Sequence, residues 1–162
     1  MTGAEIKTFT EGLLNGETID TELFYQLLND AKDEVEGDHD FEMLKREDSS
    51  QTASSAAKNL PATFRSPISL LVNTALYQQI PFEQKRLLSS SGNSWYLDFR
   101  NSQYYLTGNP AGGTIYLYFI YQTDELTSAN SPMWPTRFHK LLGYMIAKKW
   151  FWIEGEERGL SY

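Results

Sequence analysis

Two histidines are the residues best suited to acid–base or metal chemistry in this sequence, and their neighbours decide what each could do. His39 lies in EGDHDFE, where Asp38, Asp40 and Glu42 could crowd around a cation. Hard ions, however, need oxygen donors at defined loop spacing, and this segment lacks the calcium-loop pattern, so a solvated acidic turn accounts for it better. His139, in TRFHKLL, has neither a Glu-x-x-His companion nor a second histidine one helical turn away, which favours a helix-surface or capping role over ligation. Paired carboxylates can cleave a glycosidic bond when an acid and a base or nucleophile face each other. The 21 Asp and Glu residues allow many pairs and specify none. Gly-x-Ser-x-Gly and the Walker phosphate loop do not occur, and the glycines of GNPAGG lack the strand-to-helix setting that phosphate cradling requires, so a hairpin loop explains them. Cysteine is absent, which removes thiolate nucleophiles, thiolate zinc sites and disulfides. The expectation is a protein without catalytic residues, metal or cofactor.

The remaining chemistry is that of surfaces. Trp95, Tyr96, Phe99, Tyr104, Tyr105, Tyr116, Tyr118, Phe119 and Tyr121 could build a stacking platform for sugars or single strands. Fourteen basic against 21 acidic residues give a net charge of −7, which repels phosphate backbones. Core on one face and subunit interface on the other is the better reading, because tyrosine offers large apolar area with a polar tip. The acidity concentrates between Glu11 and Asp48, as expected of a solvated helix face.

At 162 residues the chain suits one domain with a substantial core. The first twenty residues do not read as a signal peptide. The longest apolar run, Ile115 to Tyr121, is far shorter than the roughly twenty residues of a membrane helix. A soluble protein assembled in a reducing cytoplasm is expected.

Residues 1–19 read as an N-terminal arm with Leu13, Leu14 and Ile19 as its few anchors. Asp20 is placed to cap a helix whose apolar stripe is Phe24, Leu27, Leu28, Ala31 and Val35, with Gly37 a plausible stop and HDFEMLKRED adding a turn, so helix is expected over about 20–47. Residues 49–59 form a loop or polar edge strand. From Pro61 to about 124 the period becomes that of strands: Leu70 and Val72 alternate, Pro81 opens a short helix FEQKRLL with Glu83 and Arg86 one turn apart, and Trp95, Leu97 and Phe99 share one face. A turn at Asn101 and Ser102, a strand over Gln103–Thr107 and a third over Thr114–Gln122 complete an antiparallel meander. The last helix covers about 135–154, with Phe138, Leu141, Leu142, Met145, Ile146, Trp152 and Ile153 on its core face and Tyr144 and Phe151 on nearly the opposite side. Lys149 falls within the apolar face, where it must snorkel or find a carboxylate. The fold class is α+β: a helical base with an inserted antiparallel β-meander or small barrel in one domain over 20–162.

Three segments stand in order: FYQLLNDAKDEVEGDHDFEMLKRED; NLPATFRSPISLLVN followed by QQIPFEQKRLL; and WYLDFRNSQYYLTGNPAGGTIYLYFIYQTDELT running into MWPTRFHKLLGYMIA. Together they resemble tailed-bacteriophage head-to-tail connector proteins, the neck adaptors. The resemblance spans residues 21 to about 154. It implies a structural virion protein that forms a ring, commonly of twelve subunits, below the portal protein, joins it to the next neck or tail component, and lets double-stranded DNA pass without specific binding. The expected location is the virion neck, after assembly in the bacterial host cytoplasm, with no membrane partner. Family members often extend the C-terminal helix toward the portal. This sequence stops at EERGLSY, so either portal docking uses other residues or the sequence is a shortened form.

A closed ring needs two different patches per subunit. Tyr144, Trp150, Phe151 and Trp134 are candidates for one, Tyr116 and Tyr118 for part of the other, and Glu34, Glu36 and Asp38 for a negative channel lining. The alternatives are another neck or tail-completion protein and, from a different class, a carbohydrate-binding module or glycosidase.

Overall fold

In the computed structural model, which describes residues 1–39, 41–86, 92–108, 110 and 112–154 (backbone only for Lys85 and Arg86), the chain opens with a helix, α1 (Gly3–Leu13). Thr2 and Glu5 form a capping box: the Thr2 hydroxyl accepts from the Glu5 amide, and the Glu5 carboxylate accepts from the Thr2 amide at 2.9 Å. The segment expected to be an arm is thus helical, and Ile6, Thr10, Leu14 and Ile19 are buried. Asn15 and Gly16, both at positive φ, turn the chain out of α1.

Asp20 caps α2 (Thr21–Asp38) by accepting from the amides of Glu22 and Leu23, and the apolar stripe from Phe24 to Val35 is buried as its spacing requires. The helix passes Gly37 and ends at Asp38, well short of residue 47, because His39 is extended. Glu42–Leu44 make one 3-10 turn, and Lys45–Asp48 become strand β1. Pairing with a long apolar strand satisfies this backbone outright, which wins over weak local helix preference.

The chain clusters into two compact units. Met1–Met43 together with the chain from Thr123 onward form the first, and Leu44–Gln122 the second. In the helical unit α1 and α2 pack against α3 (His139–Ile153), which follows a 3-10 turn at Thr136–Phe138. Gly143 of α3 faces α1 so closely that an added Cβ would lie 2.5 Å from Cδ1 of Phe9.

The second unit is a curled seven-stranded sheet. Its further strands are β2 (Lys58–Asn59), β3 (Phe64–Val72), β4 (Ala75–Gln79), β5 (Ser94–Asp98), β6 (Gln103–Leu106) and β7 (Ile115–Tyr121), in the order β1-β7-β3-β4-β5-β6-β2. This is not a plain meander. The last strand, β7, inserts between β1 and β3, and β4 runs parallel to β5 with Gln78 beside Ser94. Buried Leu70, Val72, Trp95, Leu97, Tyr104, Ile115, Leu117 and Phe119 form its core. Phe99 leaves the face of Trp95 and Leu97 and is 65% exposed. The Asp98 carboxylate ends β5 by accepting from the Arg100 amide and the Asn101 side chain, which turns the chain before Phe99 can continue the pleat. Residues 49–57 are a loop, with Thr52 bridged to Thr114 and Ala53 buried, and Lys58–Asn59 are the short polar edge strand β2. Pro81 precedes a 3-10 turn, Phe82–Arg86, rather than a helix; Leu87, Leu88 and the Arg86 side chain lie outside the described residues.

Gly143→Ala should cost the helical unit about 1–3 kcal/mol by overpacking against Phe9, read as a lower urea midpoint. In the sheet, the buried Tyr104 phenol has no hydrogen-bond partner among the described residues, and burial and then the Asp48 charge push its pKa well above the usual tyrosine value. The fold holds the proton where an unfolded chain releases it, so stability is level below about pH 10 and falls as pH rises beyond it. Tyr104→Phe should leave stability at pH 7 equal or higher by about 1 kcal/mol, and should make the alkaline loss shallower.

Candidate interaction surface

The aromatic richness of α3 divides by position. His139, Leu142, Gly143, Ile146, Ala147 and Phe151 face the core at three- and four-residue steps. Phe151, expected on an outer face, is only 7% exposed, whereas Trp152 and Ile153, expected in the core, are 61% and 54% exposed. Trp134 is 2% exposed and stacks on Phe41 at a centroid distance of 5.3 Å, so neither it nor Phe151 offers a surface in this fold. Trp150 is half-buried against the same core, its indole nitrogen without a partner among the described residues. Tyr144 is exposed and meets Phe9 edge-on at 5.5 Å.

The other side carries a second row: Phe138, just before α3, then Leu141, Met145, Lys148 and Trp152, exposed except for the half-buried Met145. Its alternating three- and four-residue steps are those of a helix that packs on another helix. Two clefts border it. One, of about 170 Å³, is lined by Val35, His39, Phe41, Trp134, Phe138 and Leu141. The other, of about 270 Å³, lies among Glu34, Met145, Lys148, Lys149 and Trp152. Lys149 finds the carboxylate its position demanded, with Nζ 3.1 Å from Glu34.

The acidic trio separates in the same way. Glu34 is exposed and paired to Lys149, and Asp38 is exposed at the last turn of α2. Glu36 is 2% exposed and accepts from the Thr123 hydroxyl at 2.8 Å, so it lines no surface. Beside it, buried Lys32 donates to the carbonyls of Thr123 and Asp124 at 3.4 and 3.0 Å and pairs with Asp33. The Asn29 side chain accepts from the Leu126 amide and donates to its carbonyl.

Of the two histidines, only His139 departs from its sequence reading. His39 is exposed just beyond α2, near Phe41. His139 is buried rather than at the surface: Nε2–H donates to the Trp134 carbonyl at 2.8 Å, and the Met1 amino group donates to Nδ1 at 2.8 Å. Among the described residues no group of three or more potential ligands is placed to hold a metal ion. No helix there is long and apolar enough to cross a membrane.

In the sheet unit, β7 turns buried Ile115, Leu117 and Phe119 and half-buried Tyr121 to one face, and half-buried Tyr116 and Tyr118 with buried Ile120 to the other. Tyr118 is registered opposite Glu47 of β1, and donating a hydrogen bond to that carboxylate raises its phenol pKa. Tyr121 receives the Arg46 guanidinium 5.2 Å above its ring. Tyr96 and Tyr105 stack across β5 and β6 at 5.0 Å, with Phe82 edge-on to Tyr96.

This assignment of α3 separates core from surface by stability. Phe151→Ala should cost about 3–5 kcal/mol in urea unfolding. Trp152→Ala should stay within about 0.5 kcal/mol of the parent. Comparable losses at both positions would reject it.

No curated protein matches the sequence. The sequence does match the SU10 adaptor protein family over residues 1–158, nearly the whole chain, and that family is one of structural phage adaptors and not of enzymes. The three ordered segments and the helical unit carrying an inserted sheet therefore have a common explanation: the chain belongs to the SU10 adaptor protein family, a bacteriophage head-to-tail adaptor family.

Proposed function

We propose that this protein is a ring-forming adaptor of the virion neck, commonly of twelve copies, that docks below the portal and joins it to the next neck or tail component around the DNA channel. The observation that carries the reading is the outer row of α3, from Phe138 to Trp152, on a chain of the adaptor family. A helix that already buries one face has no use for a second apolar row in water, and such a row serves association.

Tyr144, which flanks that row, and Trp150, half-buried on the core side of α3, are candidates to join one contact patch. Tyr116 and Tyr118, half-buried on the face of β7 that Ile120 shares, are candidates for part of another. Two unlike patches per subunit are what closed rotational symmetry requires. Glu34 and Asp38 are the members of the acidic trio able to line a negative lumen past which DNA slides by like-charge repulsion. Assembly takes place in the host cytoplasm. A ring with both residues turned from the channel removes that element of the proposal.

Mixing the purified protein with its portal and weighing the products by native mass spectrometry tests the reading. The expected product is a portal ring carrying many adaptor copies. Leu141→Asp should lower its yield at least tenfold while the circular dichroism spectrum is unchanged. No affinity for portal or tail proteins, together with binding to polysaccharide, would defeat the adaptor reading.

A further inference from the structure

The helical unit presents two exposed features of opposite character. The first is the last turn of α3, where Trp152 and Ile153 project into solvent one turn beyond Lys148, an exposed lysine with no carboxylate partner among the described residues. The second is a cleft of about 580 Å³ between α2 and the segment after Thr123. Its walls carry Glu22, Asp30 and Glu125, all exposed and in no ion pair among the described residues, and Tyr25 contributes apolar surface within it. The cleft is held open in advance. Asn29 clamps the Leu126 backbone to α2, and Asn130 braces the same segment by accepting from the Thr127 amide and donating to the Glu125 carbonyl.

Resting on the adaptor reading, we infer that the occupant of this cleft is a second copy of the chain, entering with the last turn of α3. Trp152 and Ile153 meet the Tyr25 side of the cleft, and Lys148 meets Asp30 and Glu125. Charge decides the choice of occupant. Copies with a net charge of −7 repel one another, so stable self-association has to set a basic spot of one copy against an acidic spot of the next. Lys148 next to the Trp152 side chain is such a spot, and the cleft is its complement. An exposed tryptophan flanked by a lysine also has the composition of a binding anchor: large apolar area at the centre with a charge that fixes orientation. Because the donor turn and the receiving cleft are different surfaces of one molecule, the contact is heterologous and repeats from copy to copy.

The absence of native cysteine makes the test direct. Ile153→Cys and Glu125→Cys variants, each full length, are mixed and oxidised, and sedimentation velocity is run on the parent at 50 and 500 mM salt. The expected results are a disulfide-linked heterodimer absent when Glu125→Cys is replaced by Gln79→Cys, and parent self-association that weakens with salt. Trp152→Ala and Lys148→Glu should each weaken that association at least tenfold, and Asp30→Lys should restore it in the Lys148→Glu background. A parent that stays monomeric at millimolar concentration and low salt overturns the inference. So does self-association indifferent to Trp152 and Lys148, an outcome that leaves the adaptor reading standing when the portal complex still forms.

Discussion

Three side chains spaced along α2, Asn29, Lys32 and Glu36, hold the segment by which the chain returns from the sheet to the helices. An inserted unit sets its host a specific problem. The re-entering chain runs along α2 without regular secondary structure, mostly exposed, and its peptide groups beside buried Thr123 and Leu126 lose water there. Each buried amide or carbonyl left without a partner costs about 1–3 kcal/mol. Asn29 satisfies both backbone groups of Leu126, Lys32 caps the carbonyls of Thr123 and Asp124, and Glu36 takes the Thr123 hydroxyl. The apolar stripe of α2 continues past these groups, so one helix both builds the core and anchors the connection. With the segment fixed, Leu126 and Trp134 enter the core and α3 starts in register behind Pro135.

That arrangement explains why α3 can be two-sided. Its inner face is already complete with Leu142, Ile146, Ala147 and Phe151, and Gly143 lets α1 close over it. The outer row is therefore free to be selected for association rather than for folding. Substitutions there should leave the fold in place, as befits a protein whose family works by joining other virion parts.

Legibility of the sequence followed how sharply each segment is patterned. Asp20 with Phe24, Leu27, Leu28, Ala31 and Val35 defines one narrow stripe, and the helix follows it. Around α3 the apolar residues occupy more than one face, so a helical wheel cannot orient it; Phe151 and Trp152 exchanged roles because only the packing of α1 and α2 distinguishes their sides. Helix α1 escaped because Gly3 and Gly12 dilute its propensity, although Thr2 and Glu5 spell a capping box that would have located its start. The polar pair Lys32 and Glu36 looked like part of a solvated face. Nothing in a periodicity says that a returning backbone needs its donors and acceptors. Strand positions were readable from alternation, but the order was not: whether β7 lies next to β6 or between β1 and β3 depends on long-range pairing that period-two spacing does not encode. The adaptor family itself was legible, through the order of three weak motifs rather than through any single residue.

The discontinuity of the helical unit also orders events on the ribosome. The sheet is built from one unbroken stretch, Leu44–Gln122, and has all its strands once that stretch has emerged. Helices α1 and α2 are made first, yet their apolar faces wait through the synthesis of the whole sheet for α3 to arrive. A nascent or truncated chain thus holds a finished sheet and an unfinished helical core. The exposed row lies on α3, made after the sheet, so the surface proposed for association forms on the element that closes the helical core.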